Sequence, residues 1–176
     1  MKNIAFDSIT VIESPLGPIV LKSLGQAVVK VDMLGFAGDA ASVEIDPAKA
    51  KVSPVLRDAA KQLDQFFAGK RHQLDFAVAF EGTAFQEAVW HEIAKLGFGE
   101  AITYGELAKR IGNPAAVRAV GGAVGSNPVP LVIGCHRILG SGDKITGYSG
   151  GDGLPTKRWL LAHERINYRD QASAQN

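Results

Sequence analysis

TYGELAKRIGNPAAVRAVGGAVGS, residues 103–126, decides the fold of the second half of the chain. Thr103 and Glu106 have the spacing of a capping box for a short helix, YGELAKRI, which Gly112 ends. Asn113 then reads as an N-cap with Pro114 at the first helical position, opening a second helix over 115–126. Two helices joined by a tight Gly-Asn-Pro turn predict a helix-turn-helix. Most such hairpins have no role with nucleic acid. The second helix is unusual, because Arg118 is its one long side chain and Gly121, Gly122 and Gly125 each weaken it by about 1 kcal/mol relative to alanine. Small residues permit close approach. That serves packing against another helix, or contact with something narrow such as a DNA groove, from which Arg118 would protrude.

Upstream, FQEAVWHEIAKL (85–96) places Phe85, Ala88, Val89, Ile93 and Leu96 on one helical face, flanked by Trp90 and His91, and Gly97 and Gly99 end it. The first half reads as strands and then a helix. FDSITVIESPLGPIVLKSLG holds two β-rich runs around the turn Pro15-Leu16-Gly17-Pro18, and AVVKVDML alternates as a third strand. Residues 54–68 space Leu56, Ala59, Ala60, Leu63, Phe66 and Phe67 as a helix, with Pro54 at its start and Gly69 after it. LDFAVAF (74–80) alternates again, and 37–50 reads as an Ala-rich loop. A boundary falls at Glu81-Gly82-Thr83. The fold class expected is α+β: a small strand–helix domain over 1–81, then a mainly helical, winged-helix-like helix-turn-helix domain over 83–176.

The 176 residues are 46% hydrophobic and 21% charged, which fits a soluble globular protein with a buried core. No apolar run approaches the roughly 18 residues of a membrane span, and MKNIAFDSIT lacks a signal peptide's apolar stretch. Residues 1–81 carry 9 basic and 10 acidic side chains and residues 82–176 carry 10 and 8, so charge by itself does not indicate nucleic acid. One cysteine excludes an internal disulfide and fits a reducing compartment, so a cytoplasmic protein is expected.

That cysteine lies in LVIGCHRILG (131–140). A lone cysteine is most often a small buried hydrophobe. Here His136 is adjacent, and a cationic or hydrogen-bonding neighbour lowers a thiol's pKa and populates the thiolate. Adjacent residues in a strand point to opposite faces. Cys135 and His136 can therefore share a site only if the chain leaves strand geometry, which Gly134 permits. The residues leave a nucleophilic cysteine, including that of a Cys-His hydrolase, open beside a packing one.

NPVPLVIGCHRILG, GYSGG and KRWLLAHE, with FQEAVW and GEAITYGELAKRIGNPAAVRAVGGAVGSNP upstream, resemble the O6-alkylguanine-DNA alkyltransferases (methylated-DNA–protein-cysteine methyltransferases). The resemblance runs over roughly 83–165. Residues 1–81 are similar to that family's N-terminal domain, ribonuclease-H-like and structural, in size and element order. The resemblance implies a monomer that binds duplex DNA carrying O6-alkylguanine through the minor groove and flips the base. It implies alkyl transfer from O6 of guanine, and from O4 of thymine, to Cys135, with no cofactor and no membrane. Arg118 would fill the gap left by the flipped base, with Ala119 and Gly122 on the same DNA-facing helix. Tyr104 would hold the nucleotide's phosphate and help protonate the leaving base. His136 would relay the thiol proton through water to Glu164, neither residue being expected in the core, and Asn127 would tie the active-site turn together. Tyr148 would stack on the base and Ser149 hydrogen-bond its edge, with Arg137 anchoring the turn. A non-catalytic lesion-binding relative is the alternative, although such relatives lack the reactive cysteine.

Two features depart from the pattern. The residue before the cysteine is usually proline in that family and here is Gly134, where proline fits only if φ is near −65°. Some relatives hold zinc in the N-terminal domain with Cys and His ligands. Residues 1–81 contain His72 and no Cys, so no such site is expected.

Overall fold

A computed structural model describes residues 4–170, which form five α-helices and five β-strands in an α+β arrangement. The chain parts into two units after Phe80. Two short stretches from later in the chain, 128–132 and 150–152, belong with the first. The second half is therefore not one continuous block over 83–176. Long-range hydrogen bonds explain this: the Val31 N–H donates to the Pro128 carbonyl at 2.9 Å, and the Phe36 N–H to the Asp152 side-chain carboxylate at 2.6 Å.

In the first unit β1 (Ser8–Ile12), β2 (Ile19–Leu24) and β3 (Ala27–Met33) form an antiparallel meander in that order. The turn between β1 and β2 requires Gly17, which adopts φ +83° and whose Cβ would lie 1.7 Å from the Gly35 carbonyl oxygen. Helix α1 (Pro54–Phe67) packs on all three strands through Leu56, Ala59, Leu63 and Phe66. Ser53 caps its start, and Gly69 and Lys70 close its end by donating to the Phe66 and Gln65 carbonyls. Gln62 is also buried, because its amide bridges the Asp58 carboxylate and the Asp75 N–H. The alternating run 74–80 makes one isolated bridge, Val78 to Val28, and no full strand.

In the second unit α2 (Ala84–Ala94), α3 (Tyr104–Arg110) and α4 (Val117–Gly125) pack together, and α5 (Leu154–His163) follows. β4 (Ile102–Thr103) and β5 (Ile138–Leu139) pair in parallel. Thr83 and Gln86 form a complete capping box on α2. The expected flank position of Trp90 is corrected: the indole is buried and donates from Nε1 to the Ala123 carbonyl at 2.8 Å, while Ala88 is exposed. On α3 the capping box is half made. Thr103 accepts from the Glu106 N–H, but the Glu106 carboxylate takes Arg110 instead.

The start of α4 is also corrected, from 115 to Val117 with Ala116 as its cap. The Asn113 N–H already serves α3, donating to Ala108 beside the Gly112-to-Lys109 bond, so Asn113 closes one helix and does not open the next. Pro114 sits in the turn that follows, closed by the Ala116 N–H on the Asn113 carbonyl. Among the described residues no helix is long and apolar enough to cross a membrane.

Candidate active site

The Cys135 N–H donates to the Ile133 carbonyl at 2.7 Å around Gly134, whose φ −69° and ψ 62° make an inverse γ-turn. Cys135–Arg137 then form one turn of 3₁₀ helix, closed by the Arg137 N–H on the Gly134 carbonyl, before the chain enters β5. This is the break from strand geometry that lets neighbouring side chains serve one site. Asn127 braces the turn by donating to the Ile133 carbonyl at 2.8 Å.

All four ionisable groups around the turn are buried: Cys135 is 3% exposed, His136 0%, Arg137 6% and Glu164 1%. The expectation that His136 and Glu164 lie outside the core is therefore overturned. His136 Nε2 is 2.8 Å from Glu164 Oε1. Arg137 donates from Nε and NH2 to the two carboxylate oxygens at 2.8 and 2.9 Å, and from NH1 to the Leu96 carbonyl at 2.6 Å. The Gly99 N–H adds a fourth donor to Glu164, at 3.2 Å. Burial by itself would raise the Glu164 carboxyl, but the hydrogen bonds and charges of His136 and Arg137 outweigh it and lower it to about 2. An ionised carboxylate only accepts, so the His136 proton is on Nε2 and the Nδ1 lone pair is free. Nδ1 is buried with no hydrogen-bond partner among the described residues. Burial lowers the His136 pKa against the pull of Glu164, so the ring rests neutral.

The expectation that His136 populates the thiolate is corrected. Burial raises the Cys135 pKa, and hydrogen bonding to Asn127 and Tyr148 and the charge of Lys157 offset it only in part. The resting group is a thiol beside a neutral imidazole. The Tyr148 hydroxyl lies 3.9 Å from Sγ. Burial raises the Tyr104 and Tyr148 phenols, so both stay protonated.

The remaining expected residues lie around α4. Arg118, Ala119 and Gly122 are exposed. A Cβ added at Gly121, Gly122 or Gly125 would meet nothing within 4 Å. The small residues therefore leave an open face, and the helix packs instead through Val120, Ala123 and Val124. Arg118, Gly121 and Tyr104 line a cavity of about 610 Å³ with Thr103, Gly105, Val117 and 140–142; Cys135 is not part of its wall. Ser149 is exposed, and its hydroxyl donates to the Gly125 carbonyl at 3.0 Å.

Lys157 went unread in the sequence, although a signal was present. Lys157, Leu160, Leu161 and Glu164 fall at i, i+3, i+4 and i+7 and are all buried, so an apolar helical stripe carries an ionisable group at each end.

Gly134 has a backbone that suits proline but no room for its side chain. A Cβ there would lie 2.9 Å from Cδ and Nε of Arg137, whose guanidinium is fixed by Glu164 and Leu96. Gly134→Pro and Gly134→Ala are both expected to lose about 1–3 kcal/mol of stability, typical of overpacking. Thermal unfolding of the pair checks this; a wild-type melting temperature in either would show that Arg137 yields without cost.

The arrangement is a buried thiol next in sequence to a neutral imidazole held by an ionised carboxylate, beside a helix-turn-helix with an open small-residue face. The family model for the 6-O-methylguanine DNA methyltransferase DNA binding domain matches residues 84–166, and that for the ribonuclease-like domain of the same family matches 9–80. A methylated-DNA–protein-cysteine methyltransferase of Methanosarcina acetivorans is 39% identical over 154 residues, covering 88% of this chain and 96% of the relative. One of Haemophilus influenzae is 40% identical over 161 residues, covering 91% and 87%. The crystal structure of Mycobacterium tuberculosis OGT in complex with DNA matches with a TM-score of 0.77 at 36% identity, covering 90% of this chain and 93% of that one. The chain belongs to the 6-O-methylguanine DNA methyltransferase family, a family of DNA-repair methyltransferases.

Proposed function

We propose that this chain removes the alkyl group from O6-alkylguanine in duplex DNA by transferring it to Cys135, once per molecule. The observation that carries the reading is the buried His136 Nδ1, a free lone pair next to the thiol residue with the opposite ring nitrogen held by an ionised Glu164. The thiol proton passes through water to Nδ1, and Glu164 stabilises the imidazolium. The S–C bond forms as the C–O6 bond breaks, and the electron pair stays on O6. A proton from Tyr104 lets guanine leave neutral, and the imidazolium proton returns to Tyr104 through solvent. The product thioether has no leaving group, so the step is irreversible. O4-alkylthymine presents the same kind of carbon and belongs to the proposal. So does a monomer working in the cytoplasm, where a single thiol stays reduced.

The DNA end of the proposal rests on α4. Its open glycine face lets backbone approach a groove closely, and the minor groove is the narrow one. Arg118 is exposed and lines the adjoining cavity, and from there a side chain can occupy the space of an extruded base.

Incubation with a duplex containing O6-methylguanine, followed by intact-protein mass measurement, tests the proposal. The expected result is a gain of one methyl on Cys135. Tight binding without a mass gain would support the non-catalytic lesion-binding reading. Arg118→Ala is expected to slow repair of duplex by about tenfold or more while leaving reaction with the free alkylated base nearly unchanged. Equal losses on both substrates would place Arg118 in the fold or the chemistry.

A further inference from the structure

Thr146 lies between β5 and Tyr148, on a stretch of chain that is firmly tied down. The neighbouring Ile145 is 0% exposed, and its N–H donates to the Arg169 carbonyl at 2.8 Å. The Thr146 carbonyl accepts from Lys157 Nζ at 3.2 Å. Its methyl, Cγ2, lies against Gly140, where an added Cβ would come within 2.7 Å of it. Gly140 therefore makes room for the methyl, and with backbone and methyl set the direction of the hydroxyl is set as well. That hydroxyl is buried and closes no hydrogen bond among the described residues. A buried hydroxyl left unpaired costs stability, and valine, of nearly the same shape, would avoid that cost. The group within its reach is the phenol of Tyr104, the first residue of α3, which lines the same cavity as Gly140. Burial raises the Tyr104 phenol, the Thr146 hydroxyl acts against that rise as a hydrogen-bond partner, and the charge of Cys135 adds to it. The two groups are thus in reach but not in bonded geometry at rest, as catalytic hydrogen bonds often are before substrate binds.

We propose that Thr146 is a positioning residue for the proton donor Tyr104: its hydroxyl, aimed by Gly140 and left without another partner, donates to the Tyr104 oxygen as that oxygen gives its proton to the leaving base. The proton that moves is the phenol's own, and Thr146 keeps its proton throughout. A neutral phenol oxygen is a weak acceptor and a phenolate a strong one, so the bond strengthens as charge develops and favours the transition state over the bound substrate. This deepens the alkyl-transfer reading and rests on it, because Tyr104 has a proton to give only where a base departs.

The test compares Thr146→Val, which keeps the methyl and loses the hydroxyl, Thr146→Ser, which does the reverse, and Thr146→Ala, which loses both. Single-turnover transfer from O6-methylguanine duplex is followed over a range of duplex concentrations, with thermal unfolding and iodoacetamide alkylation measured on the same full-length samples. Iodoacetamide reads the thiol alone, because the chain has one cysteine and iodide leaves without a proton. In Thr146→Val and Thr146→Ala the rate at saturating duplex is expected to fall at least about tenfold, the size of a lost hydrogen bond to a charged group. The half-saturating duplex concentration and the iodoacetamide rate are expected to stay at the wild-type values. Thr146→Ser is expected to keep transfer within a few-fold of the wild type, and Thr146→Val to melt no lower than it. A wild-type saturating rate in Thr146→Val, or a loss in Thr146→Ser as large as in Thr146→Val, would overturn the proposal. An equal fall in iodoacetamide alkylation would overturn it too, by moving the effect from Tyr104 to the thiol. These outcomes are distinct from failure of the repair function, which appears as a wild-type protein that gains no methyl.

Discussion

Cys135→Ser is expected to take up no alkyl group from O6-methylguanine duplex, a loss beyond detection in a stoichiometric assay. A serine hydroxyl is far more weakly acidic than a thiol, and burial at this position disfavours ionisation further, as the raised Cys135 pKa shows. His136, neutral and itself lowered by burial, is too weak a base to ionise a hydroxyl here. The fold should tolerate the change, because oxygen is smaller than sulfur and Tyr148 and Asn127 can still hydrogen-bond it. Binding to duplex should persist, since the open face of α4 and Arg118 are untouched. Intact mass and an electrophoretic binding assay at one fixed salt concentration check both halves. Stoichiometric transfer by the serine variant would remove Cys135 as the acceptor.

Glu164→Gln is expected to slow transfer by about 10²–10⁴-fold and also to cost about 3–5 kcal/mol of stability. The first effect follows from the loss of the charge that stabilises the imidazolium. The second follows from what the carboxylate holds. Arg137 is 6% exposed, and with an amide in place of Glu164 its guanidinium becomes a buried charge without a counter-charge. The amide must also turn an N–H toward a donor, because His136, Arg137 and Gly99 all donate to this carboxylate. The same bonds predict acid sensitivity. Glu164 falls from 4.5 to about 2 on folding, so its stabilisation is complete above about pH 4.5 and is lost as pH falls toward 2, amounting to about 3 kcal/mol. His136, lowered by burial, adds a loss beginning below about pH 6.5. Denaturant midpoints at pH 7, 5 and 3 should fall steeply for the wild type, and the step below pH 5 should be smaller in Glu164→Gln, where only the His136 loss remains. A variant as stable as the wild type at pH 7 would mean Arg137 finds another partner.

The parts of this molecule legible in the sequence are those set by local chemistry. The three strands of the first unit follow from alternation around Gly17, and α1 begins at Pro54 and ends before Gly69, as those residues require. Cys135, His136 and Glu164 were legible by motif, and the contact between His136 and Glu164 became visible only in the fold. What the sequence hid is tertiary. Trp90 looks like a flanking residue until its Nε1 is seen to need the Ala123 carbonyl on another helix. Asn113 has the chemistry of an N-cap, but its backbone is already engaged by α3. The protonation of Cys135 was misjudged because adjacency reports a neighbour and not the desolvation that outweighs it. Lys157 was missed because lysine is so rarely buried that its place in an apolar stripe reads as surface.

Helix α5 carries its charges against its own dipole, with Lys157 near the N-terminal end and Glu164 at the C-terminal cap. A segment of ten residues with that polarity does not hold a helix by itself, so it forms by docking. During synthesis Cys135 leaves the ribosome before Glu164, the residue that holds the neighbouring His136. A nascent chain therefore carries the thiol before the proposed relay is assembled, and docking of α5 completes it. Under the proposed single transfer, this order would keep a half-made molecule from consuming its one turnover.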